Sequence, residues 1–409
     1  MLKSYLEVIK NKDFRYLWLG QIISQIALNM LSFVLAIRVY QETQSNASVS
    51  FMLLAFGIPS IIFGVVAGGI VDFLDKRKVM LYCNLSRVFL ILAFFFYAHD
   101  LVIIYALSVI ISIISQFFIP AEGPAIPSLV PEKELLTANS LFTISFYLSM
   151  ILGFILAGPF VRLFGPKTVF LFMGLLMLLA AYYISRIPKK KLAVKTVLAD
   201  FNFSFIGRAI DDGITFIHSN KRIEQSLLLM TFSQALLSIL AVLAPGFADR
   251  MLMIDLTDSS YLVMGPAAIG LVVGSFLVGA YGNKFIKTTI ITVGIVGVGA
   301  NLLLLSVVSG SYSLITAMIL LFTLGIFNSF ISVPANTILQ KDSDSQMRGR
   351  IYGVLTSLTG GVSLLPVVFS GILADELGIG LTMAILGLVI AAVGIYHYLR
   401  HLFLISSIK

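Results

Sequence analysis

Apolar residues in this chain come in unbroken runs of about twenty, separated by short polar stretches, without strand-like alternation or a one-sided helical stripe. A run of that length crosses the roughly 30 Å hydrocarbon core of a bilayer as a helix, which satisfies its own backbone groups where water is absent. The breaks mark twelve spans, at 16–38, 49–71, 79–98, 101–121, 138–161, 168–186, 224–247, 260–282, 287–308, 312–334, 350–373 and 379–399. Strands of a membrane barrel alternate polar and apolar positions, and these runs do not. The predicted class is an all-α polytopic membrane protein. The first run is too long for the apolar core of a cleaved signal peptide and lacks a small-residue cleavage site, so it reads as retained.

Composition agrees with this reading. Of 409 residues, 58% are hydrophobic and 12% charged, with a mean hydropathy of +1.00. A soluble globule carries about 25% charged residues, so too little polar surface exists here to cover soluble domains. The net charge of +8 is explained by topology rather than by nucleic acid. With the N-terminus inside, every Lys and Arg falls on a cytoplasmic segment except Arg38, Arg87, Arg162, Lys167 and Arg250. Both termini are then expected in the cytoplasm, and the protein in the cell (inner) membrane. The single cysteine, Cys83, excludes an internal disulfide.

The longest polar segment, 187–223, divides the chain into bundles at 1–186 and 224–409. It opens with Pro188-Lys189-Lys190-Lys191, and over 203–219 Ile206, Ala209, Ile210 and Ile217 recur at helical spacing. That pattern fits an amphipathic helix on the inner membrane face; a plain tether fits equally. The two halves echo each other at a shift of about 210 residues, as expected of transporters built from structural repeats. Asn11-Lys12 recurs as Asn220-Lys221, Gln25 as Gln234, and Pro124-Ala125 as Pro334-Ala335. Gly68 and Asp72 fall on Gly279 and Asn283.

Gly64 and Gly68 lie on one face of the second span, where small residues let helices approach closely. Gly68 then opens a charged stretch after that span: Ile70, Asp72, Lys76, Arg77 and Lys78 follow. In this loop the chain resembles the major facilitator superfamily. Phe73 departs from the family pattern where a basic residue is common, and Asp75 where a glycine is usual. Asn11-x-x-Phe14-Arg15-x-Leu17-Trp18-x-Gly20-Gln21, with Ser24-Gln25, resembles the macrolide-efflux and enterobactin-exporter branch. So does Met347-Arg348-Gly349-Arg350-Ile351-Tyr352-Gly353. Ala157-Gly158-Pro159 is similar to the glycine-proline motif of drug–proton antiporters, although Arg162-Leu163 replaces its closing glycine pair. The resemblance implies twelve helices in two pseudo-symmetric six-helix bundles. It also implies a conformational latch, built from Gly68, Asp72, Lys76 and Arg77, that favours the outward-facing state.

Charge inside a span is costly and marks a functional candidate. Arg87 lies within the third span, with Glu122 at the end of the fourth as its natural partner and Asp72 as another; a structural charge cluster is the favoured role. Polar residues at helical spacing give a candidate binding surface. Trp18, Gln21, Gln25 and Asn29 share a face of the first span. The fourth carries Ser108, Ser112, Ser115 and Gln116, the seventh Gln234 and Ser238, and the tenth Asn328 and Ser329. Bonding between helices is the competing use of these groups. The resemblance implies that spans 1, 4, 7 and 10 line a cavity. In the related branch an acidic residue is frequent near the position of Leu28, where this chain has only the neutral Asn29 beside it. Glu122, the one acidic residue of the fourth helix, at its cytoplasmic end, is thus the candidate for proton coupling.

The expected function is secondary active transport by alternating access. The expected substrate is an amphipathic or hydrophobic small molecule, moved outward by a monomer with no cofactor, metal or nucleic-acid partner. A lipid or lysophospholipid transporter of the same fold is the alternative. An intramembrane enzyme is disfavoured, because no H-E-x-x-H, G-x-S-x-G or G-K-[ST] pattern is present. His99, His218, His397 and His401 are scattered, and Asp211-Asp212 is an isolated pair.

Overall fold

The computed structural model describes residues 2–72, 74–188, 192, 217–282, 285–310, 313–342 and 364–406. Among them the chain is helical, without strands. The first helices are α1 (Leu2–Lys10), α2 (Lys12–Thr43), α3 (Asn46–Asp72), α4 (Lys76–Tyr97) and α5 (Leu101–Glu122). They are followed by the short α6 (Ala125–Leu129), α7 (Leu135–Phe164) and α8 (Val169–Ser185). The later ones are α9 (Lys221–Gly246), α10 (Gly265–Tyr281), α11 (Lys287–Leu305), α12 (Leu314–Asp342), α13 (Leu364–Leu377) and α14 (Ile379–Ser406). Ten helices among the described residues are long and apolar enough to cross a membrane, and α8 is a shorter apolar helix. The predicted span 350–373 is described only from Leu364 on. The amphipathic stretch 203–219 (described only over 217–219), the motif 347–353, Asn283, Asp211 and Asp212 lie outside the described residues.

The helices cluster into two compact units, 1–42 with 52–206 and 43–51 with 207–409. The start of α3 therefore belongs with the second unit, a division that the composition of the second span does not reveal. In the first unit Phe14, Leu17, Val71, Met80, Phe118, Ala121 and Ile184 form a buried cluster. In the second, α10 and α12 touch through glycine. A Cβ at Gly270 would lie 1.9 Å from the Phe322 carbonyl oxygen, and one at Gly325 2.1 Å from that of Ala267.

Asparagine caps give the internal repeat a physical basis. Asn11 Oδ1 accepts from the backbone N–H of Asp13 (3.1 Å) and Phe14 (3.3 Å) at the start of α2. Asn220 Oδ1 accepts from Arg222 (3.2 Å) and Ile223 (3.3 Å) at the start of α9. Each satisfies amides that a helix start leaves without intrahelical partners. Five of the long helices contain an internal proline: Pro59 in α3, Pro120 in α5, Pro159 in α7, Pro245 in α9 and Pro334 in α12.

Candidate functional site

The polar face of α2 is partly spent on helix packing. Trp18 Nε1 donates to Ser145 Oγ of α7 at 2.7 Å. Asn29 Nδ2 donates to the Gln25 carbonyl at 2.8 Å, and Asn29 Cβ lies 2.7 Å from where Gly153 would carry a Cβ. Gln21 is different: it is 0% exposed, and neither Oε1 nor Nε2 has a partner among the described residues. On α5, Ser112 Oγ donates to the Phe56 carbonyl of α3, and Gln116 Nε2 donates to the Ser112 carbonyl at 3.2 Å. Ser108 Oγ is buried without a partner among the described residues. Uncompensated burial of a polar group is costly, so Gln21 and Ser108 hold unused hydrogen-bonding capacity.

Arg87 is 1% exposed and fixed on three sides. Its Nη1 donates to Asn84 Oδ1 (3.0 Å) and its Nη2 to Ser115 Oγ (2.9 Å). The guanidinium also lies 4.7 Å from the ring centre of Phe118. This is a hydrogen-bonded and cation–π anchor. The expected partnership with Glu122 takes a looser form: the two make no ion pair within 4.0 Å, and Glu122 Oε1, buried, has no hydrogen-bond partner among the described residues.

The signature stretch resolves residue by residue. Gly68 lies in α3 and Asp72 ends it, but their side-chain surroundings lie outside the described residues. Lys76 begins α4 and is half-buried. Arg77 is buried and donates through Nη2 to the carbonyl of Ser185, the last residue of α8. A cation on the C-terminal carbonyls of a helix is favourable. Asp75, in the place where the family pattern has glycine, is the N-cap of α4, and its Oδ1 accepts from the Lys78 N–H at 3.1 Å.

In the second unit Gln234 is exposed, while its neighbour Ser233 is buried and donates to Asn328 Oδ1 at 2.8 Å. Asn328 is 0% exposed, and its Nδ2 lacks a partner among the described residues. Ser233 was not among the expected residues. Also missed was Asp375 of α13, which accepts from Ser45 Oγ and from the N–H groups of Asn46 and Ala47. Burial pushes the Asp375 carboxyl up, but the hydrogen bonds from Ser45, Ala47 and Asn46 outweigh it and hold it below the usual carboxylate value.

Membrane-length helices in two compact units define a multi-pass α-helical membrane protein. The profile of the Major Facilitator Superfamily matches residues 17–366, and the chain belongs to that superfamily, a transporter and not an enzyme. It is 24% identical to the uncharacterized MFS-type transporter YfiS of Bacillus subtilis over 372 residues, 88% of this chain and 86% of that one. It is also 24% identical to macrolide efflux protein A of Streptococcus pyogenes over 398 residues, 93% and 94% of the two chains. Among solved structures it resembles a bacterial homologue of the human lysosomal transporter Spinster, in an inward-facing and unoccupied conformation. There the TM-score is 0.73 at 13% identity, over 97% of this chain and 96% of that one.

Proposed function

We propose that this protein is a twelve-helix secondary active transporter that exports amphipathic or hydrophobic small molecules by alternating access. Its bundles would be 1–186 and 224–409, joined by 187–223, with both termini cytoplasmic. Likeness along 93% of the chain to macrolide efflux protein A carries the reading. Further support comes from the relatives named multidrug efflux pump Tap, of Mycolicibacterium fortuitum, and putative bacilysin exporter BacE, of Bacillus subtilis. Of the candidate contacts, Trp18, Asn29 and Ser112 already hold helix contacts. Gln21 and Asn328 keep amide groups unbonded among the described residues, and solute binding is assigned to them together with Gln25, Gln116 and Gln234. An apolar groove of about 600 Å³ in the second unit, lined by Leu277, Tyr281, Phe285, Ile290 and Phe330 among others, favours one second reading, a lipid or lysophospholipid transporter.

The test is uptake into inside-out proteoliposomes of a macrolide, a lipophilic cationic dye and a lysophospholipid, with and without an imposed proton gradient. Gradient-driven uptake of the macrolide or the dye is expected. Movement of the lysophospholipid alone selects the second reading. Proton coupling is assigned to Glu122, so Glu122→Gln is expected to transport without responding to the gradient. An unchanged gradient dependence removes Glu122 from the mechanism. Asp72→Asn should insert normally and transport roughly ten-fold more slowly, the effect of removing about 1.4 kcal/mol from a conformational equilibrium. Wild-type rates in that variant end the latch assignment of Asp72.

A further inference from the structure

The turn from α2 to α3 is fastened within the second unit. Gln44 has a φ of 52°, a left-handed conformation uncommon for a residue with a side chain, and its carbonyl accepts from Arg250 Nη2. The first turn of α3 then points its free amides at one carboxylate of α13. Asn46 N–H donates to Asp375 Oδ1 at 2.8 Å and Ala47 N–H to Oδ2 at 3.0 Å. Asn46 Nδ2 adds a bond to Oδ1 at 3.1 Å, and Ser45 Oγ a bond to Oδ2 at 2.5 Å. Ser45 Oγ in turn accepts from the Ser48 N–H at 3.1 Å. Anions at a helix start are stabilised by these amides and by the helix dipole.

Below the cap the two helices touch almost backbone to backbone. A Cβ at Gly371 would lie 2.0 Å from Ser50 Oγ and 2.7 Å from the Asn46 carbonyl oxygen. Ser50 Oγ also donates to the Val367 carbonyl at 3.2 Å. Asn46 and Ser50 are both 0% exposed. The joint is held by polar and small groups, the Asp375 carboxylate, Ser45, Asn46, Ser50 and Gly371. From Met52 onward the same helix belongs to the first unit.

We propose that Asp375 is the catch of a releasable latch: its carboxylate holds the first turn of α3 in the second unit in one conformation and lets go of it in another. The inference rests on the alternating-access reading above. It also places a gating residue on α13 that the family signature in the loop after Asp72 does not contain.

Two measurements test it. In a Cys83→Ser background, Val49→Cys places a thiol at a position 0% exposed behind the cap. Maleimide labelling of that thiol is timed in lipid nanodiscs, where both faces are accessible. Asp375→Ala is expected to accelerate labelling roughly ten-fold, the factor corresponding to about 1.4 kcal/mol of lost capping. Equal rates overturn the latch, and Asp375→Asn gives the same two outcomes should the alanine variant fail to insert. This arm needs no solute, so it succeeds or fails apart from the transport reading. In the second arm Ser45→Cys is paired with Asp375→Cys and erythromycin flux is followed in proteoliposomes. Flux should stop on oxidation and return with a thiol reductant. Flux that persists through the formed disulfide overturns the proposal, whereas no flux of any solute in the unmodified protein counts against the transport reading alone.

Discussion

Gly270→Ala is expected to cut the recovery of folded protein roughly ten-fold or more, since overpacking a tight helix contact costs about 1–3 kcal/mol or above. The added methyl would stand 1.9 Å from the Phe322 carbonyl oxygen, which belongs to backbone and cannot rotate away. Helix α10 would have to withdraw from α12, giving up the close contact that Gly325 makes from the other side. Gly279 on the same helix is the internal control, because nothing lies within 4 Å of its added Cβ. Gly279→Ala should therefore melt at or slightly above the wild-type temperature, as alanine is the better helix former. Size-exclusion yield and thermal melting in one detergent read both variants. Equal behaviour of the two would contradict the close approach of α10 and α12.

Arg87→Ala is the second large effect, with a loss of about 2–5 kcal/mol expected when a large, buried and anchored side chain is cut back and a cavity is left. Asn84 Oδ1 loses its donor while Nδ2 already lacks an acceptor among the described residues, so the whole amide becomes buried and unpaired. Phe118 loses the cation over its ring. Arg87→Lys keeps the charge, but a point-like ammonium does not replace the planar fork that reaches both Asn84 and Ser115. The lysine variant should fall between wild type and alanine in a melting series. An alanine variant as stable as wild type would show that the anchor is ornamental.

Helices were legible in the sequence because lipid imposes one rule on every residue of a span, and the runs obey it. The asparagine caps were legible as repeats, since a cap acts through its nearest neighbours and leaves the same mark in both halves. Asp75 was not: at the position of a family glycine it looked like an exception, yet its cap on α4 is as local as that of Asn220. Gln234 and Ser233 show another limit. They sit 100° apart on a helix, and α9 is apolar on nearly every side, so no stripe in the sequence fixes which of them faces Asn328. Asp375 was invisible for a third reason: its partners lie about 330 residues earlier, and no spacing rule joins a carboxylate at one helix end to the start of another.

The internal prolines have a mechanical consequence. Each withholds one rung of the hydrogen-bond ladder and wedges its ring against the preceding turn, so the helix is softest there. Pro59 lies beyond the turn of α3 fastened by Asp375, within the part of the helix that belongs to the first unit. A rigid rod pulled at one end transmits the whole displacement to the other. A rod jointed near its middle, as α3 is at Pro59, absorbs part of it as bending, whereas Pro120 and Pro245 place the soft point in the last turn of α5 and α9.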